Sequence, residues 1–194
     1  MKKTLVILAM TIFSFANAQK GTVLVSGSVS YWSLKESGEG FTTSNNSFGF
    51  SPKVGYQFTD NWTLGAEAEV SFREDKYTNQ EMKSNSYSAG AFVRYSKPLS
   101  DLFLIYTDLG AGYSGTKSTS DYALSDPMII TTKANGFYAA IEPSVAINLK
   151  KGFGLNFSIG GLEYYSRNVD NGNQESRLYF NFGQSFTAGL SKNF

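Results

Sequence analysis

Residues 47–58 (SFGFSPKVGYQF) constrain the fold of this chain more than any other segment. Phe48, Phe50, Pro52, Val54, Tyr56 and Phe58 alternate with Ser47, Gly49, Ser51, Lys53, Gly55 and Gln57. A central proline, two glycines and a period of two exclude a helix, so the segment is a strand with one large apolar face and one small polar face. Eleven residues span about 36 Å, and a tilt of about 45° brings the height to about 25 Å, which matches the apolar band of a membrane-spanning strand. After a turn at 59–61 the period resumes with Trp62, Leu64, Ala66, Ala68, Val70 and Phe72 on one face, and the two segments form a hairpin.

The same pattern predicts a first strand through Val23, Val25, Val29 and Tyr31, a fourth through Tyr87, Ala89, Ala91, Val93 and Tyr95, and a fifth through Phe103, Ile105, Leu109, Ala111 and Tyr113. A sixth runs from Phe137 to Leu149 on odd positions, a seventh carries Phe153, Leu155, Phe157 and Ile159, and an eighth carries Leu178, Phe180, Phe182, Phe186, Ala188, Leu190 and Phe194. Connections alternate between short (59–61, 97–101, 150–152) and long (34–46, 73–84, 114–135, 166–175). An even strand number with short turns at one rim and long loops at the other predicts an all-β, eight-stranded antiparallel transmembrane β-barrel of up-and-down topology. The Pro52–Leu64 pattern recurs 91 residues later, from Pro143 to Leu155, and either duplication or shared strand chemistry accounts for it.

Composition decides which face meets which medium. Aromatics make up 15 % and charged residues only 17 % of the chain. A soluble barrel would turn its apolar face inward and carry Lys and Glu outside; here the second face is mostly Gly, Ser, Thr, Asn and Ala, which suits a crowded lumen, so the large apolar face meets lipid. Aromatic rings at both strand ends fit two interfacial girdles. The amino end has Lys2 and Lys3, an apolar run of 12 residues at 4–15 and Ala16-Asn17-Ala18, which read as an export signal over residues 1–18 followed by a barrel domain over 19–194. Without Lys2 and Lys3 the 17 Lys and Arg become 15 against 16 acids, which leaves no basic footprint for nucleic acid.

The signal, the eight alternating strands, the F-x-F-x-P-x-V-x-Y run at residues 48–56 and the last segment FTAGLSKNF at 186–194 together resemble the small outer-membrane β-barrel proteins of the OmpA/OmpX type. The resemblance implies a bacterial outer-membrane location, a periplasmic carboxy terminus, lipid and the barrel-assembly machinery as partners, and a monomer. It also implies that Phe186, Leu190 and Phe194 form the carboxy-terminal signal read by that machinery. Envelope enzymes of similar architecture, the lipid A acyl-modifying barrels and the omptin-type proteases, depend on histidine, and this chain has neither histidine nor cysteine. No enzymatic activity, cofactor or metal is therefore expected.

By parity Lys53, Glu67, Glu69, Arg94, Asp108 and Glu142 share the interior, where charges away from bulk water need partners, so they are expected to form an ion network with Arg94 as chief cation. Trp32, Phe92, Tyr106 and Tyr138 also point inward and could fill the lumen; a passage is favoured if Gly49, Gly55, Gly65, Gly90, Gly110, Gly154 and Gly183 leave it open. The expected function is an envelope structural or surface-interaction role through the long loops, with a narrow porin-like or small-ligand passage as the alternative. Within the longest loop Pro127, Met128, Ile129 and Ile130 are apolar and β-prone, which makes them either a partner-binding edge or an extension of the sixth strand.

Overall fold

The computed structural model describes residues 21–194 except 40, 79, 124–127 and 171, and the side chains of residue 150 and residues 184–186 are also left aside. The predicted signal at 1–18 and Pro127 lie outside the described residues. Eight strands, β1 (Val23–Gly38), β2 (Phe41–Gln57), β3 (Trp62–Tyr77), β4 (Gln80–Pro98), β5 (Phe103–Tyr122), β6 (Met128–Asn148), β7 (Phe153–Val169) and β8 (Asn173–Asn193), pair antiparallel in sequence order and close into a barrel. A single 3-10 turn (Lys150–Gly152) is the one helical element among the described residues.

The short-turn rim is tied by local polar chemistry. Thr59 Oγ1 accepts from Trp62 N at 3.0 Å and Ser100 Oγ from Phe103 N at 3.1 Å, so each hydroxyl closes its own turn. The third turn is made by Lys151 (φ 63°) and Gly152 (φ 76°) in the left-handed region.

At the opposite rim the structure departs from the sequence expectation. Segments read as long loops are strands paired to their tips: Gly38 with Phe41, Tyr77 with Gln80, Tyr122 with Met128 and Val169 with Asn173. These extensions lie outside lipid and carry Ser, Thr, Asn and Lys, so the hydrophobic period that marks a strand in the membrane is missing although the ladder continues. Cross-strand hydroxyl pairs replace it, including Ser84–Ser118 at 2.9 Å and Ser86–Thr116 at 3.0 Å. From the girdle residue Tyr113 to Tyr122, nine residues at that tilt extend about 20 Å past the apolar band.

The outer face follows the predicted parity through β1 to β6, with Val54, Tyr56, Leu64, Leu109, Phe137 and Ile141 exposed to the surroundings. Strand β7 changes parity. Gly160 (φ 100°) sits at a bulge, and Ile159 alone lies opposite residues 183–186 of β8. Asn181 Oδ1 accepts from Gly161 N at 3.0 Å and holds the bulge. Beyond it Leu162 pairs with Ile141 and Phe180 on the outer face, while Glu163 and Tyr165 pair with Ala140 and Tyr138 on the lumen face. The β1–β8 seam is short, since only residues 24–28 and 189–193 pair, and the backbones of Val23 and Phe194 close its end through bonds of 3.1 and 3.0 Å.

Candidate functional site

The lumen divides into a packed floor and a polar cavity. Toward the short-turn rim Phe92 is 1 % exposed, and Leu24, Tyr106 and Ala146 are buried beside it, all on lumen positions of their strands. Gly55 and Gly65 seat the Phe92 ring: a Cβ at Gly65 would stand 2.6 Å from the ring and still closer to the Val54 carbonyl oxygen. These glycines make room for an aromatic plug, so at Gly55 and Gly65 the open lumen that would favour a passage is not met. At Gly110 the absent side chain makes space for the Glu67 carboxylate, and at Gly90 for the Tyr138 hydroxyl. Trp32 was expected to help fill the lumen, but it lies on the extended part of β1 and is 48 % exposed.

Directly above the floor sits the ion network, in which Lys53 is the hub. Its Nζ lies 2.9 Å from Asp108 Oδ2, 3.1 Å from Glu67 Oε2 and 3.4 Å from Glu142 Oε2. Arg94, expected as the chief cation, serves Asp108 alone among the described carboxylates, donating from Nε to Oδ1 at 2.7 Å and from Nη2 to Oδ2 at 2.9 Å. The register explains this division, because Arg94 is directly opposite Asp108 on β5 and Asp108 directly opposite Glu142 on β6, whereas the long Lys53 side chain reaches across from β2. The Arg94 guanidinium also stacks on Tyr106, its Cζ 3.8 Å from the ring centroid, which ties the network to the floor. Glu69 makes no ion pair among the described residues, so five of the six predicted residues meet and one does not.

One partner in the network and three residues of the cavity wall are missing from the sequence expectation. Tyr138 was counted for its bulk, yet its hydroxyl donates to Glu67 Oε1 at 2.8 Å, and a tyrosine on lumen parity among carboxylates was the available signal. Glu163, Arg167 and Tyr179 also line the cavity: only Arg167 falls in the expected loop at 166–175, Glu163 turns inward because of the β7 bulge, and Tyr179 follows the alternation expected of the eighth strand. The cavity has a volume of about 590 Å³, and serines and glycines such as Ser26, Gly27, Ser28, Ser86 and Ser88 contribute to its wall. Among the described residues no group of carboxylates is placed to hold a metal ion.

The remaining predicted positions fall at the two rims. Met128, Ile129 and Ile130 open β6 and pair with Tyr122, Asp121 and Ser120, so they extend the sixth strand. On the other side of β6, pairing with β7 begins only at Ala134, with Asp170 N donating to the Lys133 carbonyl at 2.8 Å beyond it. At the opposite rim Leu190 faces outward and exposed, whereas Phe194 is 2 % exposed, a difference from the single outward row expected for 186, 190 and 194. Lys192 Nζ caps both the Phe194 ring at 4.3 Å and the Phe153 ring at 4.8 Å, and the Phe186 side chain is outside the described set.

The family model for the outer membrane protein beta-barrel domain matches residues 4–194. The chain belongs to this family. Among solved structures the barrel is similar to Ail, the attachment invasion locus protein of Yersinia pestis, at 16 % identity over 91 % of this chain and 100 % of that one, with a TM-score of 0.50. It is also similar to a major outer membrane protein from Thermus thermophilus, at 11 % identity over 91 % and 100 % of the two chains (TM-score 0.52), and to the translocator domain of the autotransporter NalP from Neisseria meningitidis, at 16 % identity over 100 % and 75 % (TM-score 0.51). At these identities the likeness concerns the fold. No curated protein matches the chain. An outer-membrane β-barrel is thus the frame in which the lumen and the hairpins act, with the bacterial outer membrane as its location.

Proposed function

We propose that this outer-membrane barrel is non-enzymatic and serves as a rigid stalk that displays four paired β-hairpins to the cell exterior for surface interaction. The observation that carries this reading is the pairing of the strands to their tips, about 20 Å past the apolar band, over a lumen sealed at its other end by Phe92, Tyr106 and the Arg94–Asp108 pair. A sealed lumen with an ion network stiffens the wall and disfavours a through-passage. Length spent on ordered hairpins places side chains well clear of the membrane. Of the four hairpins, β5–β6 is the longest, and its free edge at Met128–Ile130 is suited to strand addition by a partner segment.

In this reading residues 1–18 are removed on export, the mature chain starts at Gln19, the three short turns face the periplasm, and Phe186, Leu190 and Phe194 are read by the assembly machinery. The decisive experiment replaces residues 119–131 by Asn-Gly, which keeps the Ser118–Thr132 pairing and removes the tip. Insertion and the heat-dependent gel shift should persist while binding of the parent-expressing cells to host or bacterial surfaces is lost. Retained binding would move the site to another hairpin. Steady conductance of the unaltered protein in planar bilayers would instead support the passage, and the closed reading requires that conductance appear only when Phe92 and Tyr106 are replaced by Gly.

A further inference from the structure

Outward positions just beyond the long-rim girdle carry a recurring cation. Lys35, Lys76 and Lys117 lie four residues past Tyr31, Phe72 and Tyr113 on β1, β3 and β5, and Lys83 and Lys133 lie four residues before Tyr87 and Phe137 on β4 and β6. Four residues of tilted strand raise these positions about 9 Å above the rings, and a lysine stem adds reach, so the ammonium groups stand at headgroup depth. On the β3–β4 hairpin the charge is consumed locally: Lys76 lies 3.0 Å from Glu74 and Lys83 lies 2.8 Å from Glu81.

The β5–β6 face is different. Lys117 and Lys133 are directly opposite each other in the ladder, an arrangement that is unfavourable without an anion between them. Neither has a carboxylate within 4.0 Å among the described residues. Asp170, just past the end of β7, accepts from the Lys133 backbone N–H on Oδ2 at 3.2 Å, and Asp121 is four residues farther out than Lys117 on β5. Below the lysines the surface is shaped. The Tyr87 ring lies across Gly115, where a Cβ would stand 2.5 Å from it, and its hydroxyl reaches Asn135 Oδ1 at 3.5 Å. Next down, Tyr113 and Phe137 meet edge to face with centroids 5.7 Å apart, over outward Ala89, Ala111 and Ala139.

We propose that this face of β4–β6 binds one lipid bearing a phosphate monoester, its dianionic phosphate between Lys117 and Lys133 and its acyl chains along the Tyr113–Phe137 rings and the alanine strip. Two adjacent ammonium groups match the charge of a monoester better than that of a diester, and the aromatic floor supplies what a free phosphate lacks. The site rests on the proposed orientation only for its assignment to the outer leaflet.

The test is native mass spectrometry of the intact barrel released from detergent micelles titrated with phosphatidic acid, phosphatidylglycerol or inorganic phosphate. The unaltered protein should hold one phosphatidic acid in preference to phosphatidylglycerol, and Lys117→Gln/Lys133→Gln should weaken that binding about tenfold or more, the loss of at least one charge-assisted contact. Lys83→Gln should bind as the parent does. Both lysines are exposed, and the heat-dependent gel shift checks that each variant is folded. Undiminished binding by the double variant overturns the proposal, as does equal competition by inorganic phosphate, which would mark a free-anion site. These measurements involve no cell-surface partner, so loss of the adhesion reading leaves them unaffected.

Discussion

Replacing Lys53 with Met removes the one cation shared by three carboxylates, and the structure shows where the cost falls. Asp108 keeps both bonds from Arg94. The Glu142 side chain is 41 % exposed and faces the water-accessible cavity. Glu67 is left with only the Tyr138 hydroxyl and an enclosed setting, so it carries most of the penalty. Breaking a buried pair from one side costs about 3 to 5 kcal/mol. The expected loss is about 3 to 5 kcal/mol. Urea unfolding from phospholipid vesicles, followed by tryptophan fluorescence, measures the difference from the parent. A second substitution, Glu67→Gln, should restore most of the loss. Equal midpoints for the parent and Lys53→Met, or no recovery in the double variant, would refute the assignment of Lys53 as hub.

At the tip of the β3–β4 hairpin the Lys83 ammonium, then Glu74, hold the Glu81 carboxyl down at about 2. This support is complete above the ordinary carboxylate range and lost as pH falls through about 2; an NMR titration of Glu81 should show the low midpoint in the parent and a rise toward 4.5 in Lys83→Ala. Gly65→Ala should lower the urea midpoint by the equivalent of about 1 to 3 kcal/mol, because its Cβ meets both the Phe92 ring and the Val54 carbonyl, and an unchanged midpoint would mean that the floor is loosely packed. Phe194→Ala should reduce the fraction inserted in cells more than it slows unassisted refolding into detergent; equal effects in the two assays would assign Phe194 to the β1–β8 seam and not to the assembly signal.

The membrane half of the fold was legible because lipid enforces an outward apolar row on every strand, and from Phe48 to Phe58 each residue reports its side. That enforcement ends at the girdle. Past Tyr113 and Phe137 strands β5 and β6 lie outside lipid, so Lys117, Thr119, Thr131 and Lys133 satisfy the ladder with no apolar period, and a strand of the same geometry looks like loop. The β7 bulge hides in a different way. Gly160-Gly161 is ordinary as sequence, yet one inserted residue turns Glu163 inward and Leu162 outward, which strict alternation from Ile159 would reverse.

For the lumen, parity places a residue on a face but says nothing of reach across the barrel. By parity Arg94 and Lys53 are the two interior bases, and alternation does not rank them; the fork of Arg94 engages its ladder neighbour Asp108. Lys53 is more central because a flexible four-carbon stem spans from β2 to carboxylates on β3, β5 and β6, a convergence visible only once the barrel is closed. The glycines follow the same logic. On a sheet drawn flat, Gly55, Gly65 and Gly110 are gaps; in a narrow cylinder each gap faces a large side chain on another strand, and Phe92 and Glu67 occupy them. A glycine-rich inner face in a barrel this narrow therefore indicates packing with large residues from neighbouring strands, and an open pore would require the Phe92 and Tyr106 positions to be small as well.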